Sequence, residues 1–180
     1  MASRGRVVQK RQGEGSPTPT DTRRGYALDW ARFEGLEMRM DKTMEALVNR
    51  HLAAENEHRL EGTLATPHPE CKFEDLPLGR VYHGLSEVET YYRTWWDAFD
   101  LKVHGERRYW SEDDAFMIAE TQYSGIHQGD FLGHAPTGRT IKFPLAVVIP
   151  FRDGLMPGER FYYDLSNLLQ QIGALPERGA

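Results

Sequence analysis

The acid that invites a chemical reading is Asp164, in the stretch GERFYYDLSNLLQQIG. It follows two tyrosines and precedes an amphipathic segment, a poor place for a charge. If LMPGERFYYD is a strand, Arg160, Tyr162 and Asp164 share one face, and Glu159, Phe161 and Tyr163 share the other. The first set joins a carboxylate, a phenol and a guanidinium. A carboxyl partly removed from water holds its proton more tightly and exchanges it near neutrality. The competing reading is local: Asp is a favoured helix N-cap, L-S-N-L follows, and Arg160 is a potential ion-pair partner. Both readings stay open at this point, and they are compatible.

Further polar side chains could serve a pocket. His127, in SGIHQGDFLGH, is expected to share a strand face with Tyr123; it is a candidate pocket hydrogen-bond donor or proton carrier, with a structural role the favoured reading. The recurring Gly125, Gly129, Gly133 and Gly138 lack the G-x-x-x-x-G-K-[ST] pattern of a phosphate loop and suit turns and bulges in a sheet. His51, Glu55 and His58 fall on one helix face, a metal-like spacing without a fourth ligand, so no metal is expected. Asn56 and His83 are candidate polar contacts to a substrate. The aromatic run YYRTWWDAF supplies Tyr92 and Trp96 as apolar walls. No Ser-His-Asp or Cys-His arrangement is evident, and the single Cys71 allows no internal disulfide.

The elements that must position these groups follow from periodicity. Residues 1–24 carry a charge of +4 and are rich in Gly, Ser, Pro and Thr, so a disordered basic tail is expected. Residues 25–40 contain Tyr26, Leu28, Trp30, Phe33 and Leu36 and should pack on the domain as an extension. The domain proper is placed at 41–175, with 176–180 a short tail. A helix is expected from Asp41 to about Gly62, with Leu47, Val48, His51, Leu52 and Glu55 on one face. Short extended pieces surround Phe73, Val81 and Tyr82. S-E-V-E at Ser86 reads as a capping box opening a helix whose stripe is Val88, Tyr92, Trp95 and Phe99. Two antiparallel strand pairs follow, one turning near Glu112–Asp114 and one near Asp153–Gly154. The final helix is LSNLLQQI, closed by Gly173. Helices on one side of an antiparallel sheet make an α+β domain, and a strongly curved sheet would leave a cone-shaped pocket.

Composition bounds the function. The chain has 180 residues and a net charge of -5. Outside the tail the balance is -9, which disfavours a nucleic-acid partner. No run of eighteen apolar residues suggests a membrane span, and no secretory segment opens the sequence. A cytoplasmic setting is the default expectation.

Taken in order, Gly125-Ile-His127-Gln-Gly129, Pro136-Thr137-Gly138-Arg139, Phe151 through Asp164, and Leu168 through Gly173 resemble the SnoaL-like, ester-cyclase-like branch of the nuclear-transport-factor-2-like superfamily. The resemblance spans about residues 43–175. It implies a cone-shaped α+β barrel with a deep hydrophobic pocket for a small apolar organic substrate, a homodimer, and no metal or organic cofactor. It also implies that Asp164, ending the last strand, is the acid/base of a cyclase or isomerase acting on a polyketide-like carbonyl compound. The aldol cyclases of that family carry a His on the penultimate strand, whereas FPLAVVIPF here has none. Two other functions are compatible with the same scaffold. One is an epoxide or ester hydrolase, with water held by Asp164 and Arg160 or Asn56. The other is a non-catalytic binding protein, favoured if Asp164 points outward as a cap or the pocket lacks titratable groups.

Overall fold

The computed structural model describes residues 42–113 and 115–176. The expectations for residues 1–24, 25–40 and 177–180 lie outside the described residues. The order of elements is α1 (Lys42–Asn56), α2 (Leu60–Leu64), β1 (Pro67–Asp75), β2 (Arg80–His83), α3 (Gly84–Phe99), β3 (Lys102–Trp110), β4 (Phe116–Ile126), β5 (Thr140–Pro150), β6 (Met156–Tyr163) and α4 (Leu165–Gln171). The class is α+β, with one six-stranded curved sheet in the order β2-β1-β6-β5-β4-β3.

The first helix buries Leu47, Val48, His51, Ala54 and Glu55, the face its periodicity marks. It stops earlier than the expected Gly62. The His58 N–H bonds to the Glu55 carbonyl and the Arg59 N–H to the Ala54 carbonyl, with His58 left-handed at φ 52°. That pair of bonds is a Schellman closure, and it turns the chain before the short α2 begins. The third helix starts at Gly84, not at Ser86. Glu87 accepts from the His83 N–H, so the reach-back to the helix start is made by Glu87 to His83 and not by Glu89 to Ser86 as the S-x-x-E reading had it. Its buried set is Val88, Tyr92, Trp95 and Phe99, with Tyr91, Trp96 and Ala98 added. Gly173, at φ 82°, ends the last helix as expected, its N–H bonded to the Gln170 carbonyl and the Ala174 N–H to that of Leu169.

Both expected antiparallel pairs form. In β3–β4, Val103 sits opposite Tyr123, and in β5–β6, Val147 sits opposite Phe161. The sheet is not wholly antiparallel, however: β1 lies parallel to β6, with Phe73 opposite Glu159 and Glu74 opposite Arg160. The approach is close at Gly158, where any Cβ would overlap the Lys72 carbonyl oxygen. This crowding sits at the register irregularity between Pro67 and Lys72. The parallel pair is clamped on its outer face by Arg160 Nε on Glu74 Oε2 at 2.8 Å.

Along β6 the alternation decides what faces inward. Glu159 and Phe161 are buried, while Arg160 and Tyr162 are exposed. Phe161 stacks on Tyr91 of α3 at 4.9 Å and packs against Phe73, so the inner sheet face and α3 form one aromatic core. Among the described residues no helix is long and apolar enough to cross a membrane.

Gly158→Ala should lower stability by about 2 kcal/mol or more, because backbone rather than a flexible side chain must move. Urea unfolding of this variant beside a Ser166→Ala control on the exposed face of α4 tests it. An unchanged midpoint would show that β1 and β6 are not held at this contact.

Candidate functional site

The polar groups that the fold brings together come from the inward faces of α1, α3, β4 and β6. They converge on a cavity of about 30 Å³. Its apolar walls are Val48, Leu52, Val103, Met117, Ala119, Val147 and Ile149, and its polar groups are His51, Glu55, Thr121, Tyr123 and Glu159. The volume is enough for about one or two waters.

His51 is the centre of this group. Its Nδ1 lies 2.5 Å from Thr66 Oγ1. The Thr66 hydroxyl donates its only hydrogen to the Thr63 carbonyl at 2.8 Å, so its oxygen accepts from the ring. His51 therefore carries its proton on Nδ1. Its bare Nε2 accepts from the Tyr92 hydroxyl at 2.9 Å. Two carboxyls face the same nitrogen, Glu159 Oε1 at 3.4 Å and Glu55 Oε2 at 3.9 Å. Burial pushes the His51 imidazole down to about 4, with the Thr63 carbonyl opposing, so the ring is neutral at physiological pH.

Glu159 is 5% exposed. Burial, reinforced by the negative charge of Glu55, holds its carboxyl well above the usual carboxylate range. A protonated Glu159 also resolves its geometry, since a carboxylate would set a lone pair against the lone pair of His51 Nε2. Its Oε1 has no hydrogen-bond partner among the described residues. Glu55 is also buried, and its Oε1 accepts from the Tyr123 hydroxyl at 3.4 Å. Burial raises both Tyr92 and Tyr123 further, so both phenols stay neutral donors. The site thus sets a carboxylic acid held protonated beside a second carboxyl whose charge opposes its ionisation, a pairing in which one group can donate and the other accept a proton.

Of the residues expected from sequence, Tyr123 lines this cavity and Tyr92 bonds to its histidine. Trp96 is buried beside Tyr92 and stacks on His58 at 4.8 Å. The others lie elsewhere. Asp164 is exposed and caps α4, its Oδ1 accepting from the Asn167 N–H at 3.0 Å. Arg160 and Tyr162 share that outward face, Arg160 on Glu74 and Tyr162 with 42% of its surface exposed. The carboxylate–phenol–guanidinium set therefore exists as a row on the outer side of β6, and the inner side carries Glu159. His127 follows the end of β4, so it shares no strand face with Tyr123; it is buried against Phe99, its Nδ1 3.1 Å from Thr137 Oγ1. Asn56 is engaged by backbone, its amide donating to the Val103 carbonyl and accepting from the Val103 N–H. His83 is exposed at the start of α3. His58 lies past the end of α1, with Nε2 2.9 Å from the Leu101 carbonyl, so the three-residue metal-like face is not assembled.

Sequence reasoning weighed Glu55 only as part of a metal-like face and did not single out Glu159 or Thr66. A signal was present for the first two. Glu55 falls in the apolar stripe of α1, and Glu159 alternates with Phe161 and Tyr163. An acid repeatedly in phase with apolar neighbours is buried with them.

Comparison with known proteins agrees with this fold. Residues 45–172 match the model of the SnoaL-like polyketide cyclase family. The chain belongs to that family. Solved structures similar to this SnoaL-like chain include AclR, a proposed hydroxylase from Streptomyces galilaeus, at 23% identity and TM-score 0.65 over 76% of this chain and 84% of that one. TsrD from Streptomyces laurentii is 25% identical, with TM-score 0.66 over 76% and 99%. A proposed polyketide cyclase from Pseudomonas putida KT2440 is 19% identical, with TM-score 0.68 over 74% and 100%. No curated protein matches the chain significantly.

The two buried titrating groups leave opposite marks on the stability of this SnoaL-like domain. Between the pH at which an unfolded glutamate ionises and the higher pH at which native Glu159 does, the native state holds the extra proton. Stability therefore falls as pH rises through that window. For His51 the unfolded chain binds the extra proton between about 6.5 and about 4, so stability falls as pH drops through that range. The His51 contribution is on the order of 3 kcal/mol. Urea unfolding from about pH 4 to about pH 9 should show the wild type losing stability relative to Glu159→Gln as pH rises. Parallel curves for the two proteins would mean that Glu159 is already ionised in the native state.

Proposed function

We propose that this protein is a cyclase or isomerase that moves a proton beside a carbonyl group, with Glu159 as acid and Glu55 as base. The observation that carries the reading is the Glu159 carboxyl: buried, held protonated, lining the cavity, and with Oε1 unpartnered. Both nearby phenols donate within the protein, Tyr92 to His51 and Tyr123 to Glu55. That leaves the Glu159 proton available for the oxygen of a bound ligand.

In the proposed step the Glu55 carboxylate takes a proton from the carbon next to the carbonyl. The C–H electron pair becomes the carbon–carbon double bond of an enol, and the carbonyl π pair moves to oxygen, which receives the Glu159 proton. The enol carbon then attacks a second carbonyl, whose π pair moves to its oxygen and takes the proton held by Glu55, while the enol O–H returns its proton to Glu159 and the first carbonyl reforms, closing a ring. Where the enol is conjugated with a further double bond, its far carbon instead takes the Glu55 proton and the O–H proton returns to Glu159, completing an isomerisation. A neutral acid in an apolar cavity suits this task, since its proton is held ready for an oxygen whose negative charge only then develops. The substrate proposed is an apolar carbonyl compound whose reacting end enters the cavity. Family membership supports this class of role.

Asp164 is replaced as the acid/base in this reading, because its carboxylate is exposed and engaged as a cap. The hydrolase alternative loses the partners it named: Arg160 bonds Glu74 outside and Asn56 bonds the Val103 backbone. An outward Asp164 was the feature expected of a binding protein, yet the cavity that such a protein would leave without titratable groups is lined by four, His51, Glu55, Tyr123 and Glu159.

Deuterium uptake by a panel of cyclic ketones and 1,3-diketones in heavy water, followed by proton NMR, tests the proposal. Glu55→Gln should abolish catalysed exchange. Glu159→Ala should slow it by about 100-fold or more, and Glu159→Gln, which keeps a donor but no transferable proton, should fall between that and wild type. Asp164→Ala should exchange near the wild-type rate while losing about 1 kcal/mol of stability as a helix cap. Exchange surviving in Glu55→Gln and Glu159→Ala but lost in Asp164→Ala would return the role to Asp164.

A further inference from the structure

Thr66 takes no part in the proposed chemistry and does not line the cavity, yet it is fully buried and makes two side-chain hydrogen bonds. It sits between α2 and β1, and its own carbonyl accepts from the Met156 N–H at the start of β6. Its position is thus fixed by the backbone on both sides of the site. The hydroxyl hydrogen is committed to the Thr63 carbonyl, the C=O that α2 leaves free at its end. Only the oxygen lone pairs remain for His51 Nδ1.

We propose that Thr66 is a positioning residue that keeps the Glu159 proton in place by fixing the tautomer of His51. The chain of consequence has three links. Thr66 holds the hydrogen of His51 on Nδ1. Nε2 is then a bare acceptor, satisfied by the Tyr92 hydroxyl at 2.9 Å. Glu159 Oε1, 3.4 Å from that same nitrogen, meets no donor there and has no hydrogen bond that would favour its ionised form. The other tautomer would put an N–H on Nε2, aimed at Glu159 Oε1. It would strip Tyr92 of its acceptor and favour the Glu159 carboxylate.

Every titratable group around the ring fits this order of control. From α1 comes Glu55, whose charge favours a protonated Glu159; from α3, Tyr92; from β4, Tyr123; from β1, Cys71, which burial raises and keeps as a thiol; from β6, Glu159 itself. The partner of Nδ1 is Thr66 Oγ1, with the Thr63 carbonyl also facing the ring, and neither belongs to this set. The histidine is therefore oriented from outside the reacting set.

This inference rests on Glu159 being the functional acid only for its importance, not for its test. With ¹⁵N-labelled histidine, the wild type should show His51 as the neutral Nδ1–H tautomer across neutral pH. With ¹³C-labelled glutamate, Glu159 should show the infrared carbonyl band of a protonated carboxyl. Thr66→Val keeps the volume and removes the acceptor. It should shift His51 toward Nε2–H and lower the pH at which the Glu159 band disappears by at least about one unit. Thr66→Ser should restore both signals. An Nε2–H tautomer in the wild type overturns the proposal without any variant, so it remains testable if Thr66→Val fails to fold. So does an unchanged tautomer in Thr66→Val, or a changed tautomer with Glu159 still protonated to the same pH. If these spectra come out as stated while ketone exchange is absent, the positioning role stands and the cyclase or isomerase reading falls.

Discussion

Two glutamates cannot share an apolar cavity as two charges. Each would lose hydration, and each would raise the cost of the other. The protein meets this constraint by keeping one proton. Glu159 is the more deeply buried of the two, and Glu55 contributes to holding it protonated. His51 does not compensate with a positive charge, because burial keeps it neutral. The arrangement is therefore one acid held neutral, one neutral imidazole and a second carboxyl that opposes the ionisation of the first, with their roles assigned by environment and not by residue type.

The rest of the fold can be understood as what holds those groups there. Glu55 and His51 are one turn apart on α1, so a single helix presents both. That helix is closed by the reversal at His58, after which Asn56 and Lys102 tie its end to the start of β3. Glu159 arrives from the opposite side, on the strand that runs parallel to β1. Gly158 lets the two backbones approach, and Arg160 fixes the strand's other face through Glu74. A third buried acid, Asp75, lies away from the cavity. It accepts from the Tyr163 hydroxyl at 2.9 Å and the Leu78 N–H at 3.2 Å, so its carboxyl is spent on the β1–β2 turn. Only its Oδ1 is supplied in this way and its Oδ2 is unpartnered among the described residues, as is Glu159 Oε1, so an open oxygen alone does not set Glu159 apart; its place on the cavity wall does.

Much of this was legible in sequence. The 3.6-residue stripe of α3, the strand pairs β3–β4 and β5–β6, and the Gly173 closure all follow from local chemistry that tertiary packing did not override. Alternation also sorted β6 correctly into Arg160–Tyr162–Asp164 and Glu159–Phe161–Tyr163. It could not say which set faces inward, because period two is symmetric about the strand. An acid, a phenol and a guanidinium looked like chemistry, and an acid among phenylalanine and tyrosine looked like an exception; burial favours the second set because most of it is apolar. Thr66 was invisible for another reason. Its role depends on a carbonyl three residues away and an imidazole fifteen residues away, and no spacing rule connects a β-hydroxyl to the tautomer of a distant ring.

The small cavity sharpens what family membership leaves broad. About 30 Å³ does not hold a polycyclic ligand, so in this form the cavity receives a reacting end and not a whole ring system. The walls around that end are Val48, Leu52, Val103, Met117, Val147 and Ile149, which offer no hydrogen bonds from their side chains. A substrate gains there by shedding water from its apolar parts. The same walls keep water from Glu159, and water is what would stabilise its carboxylate. Substrate preference and acid strength are thus coupled through shared side chains. Widening the cavity with a smaller residue admits a larger ligand and, by admitting water with it, weakens the hold on the proton that the ligand needs.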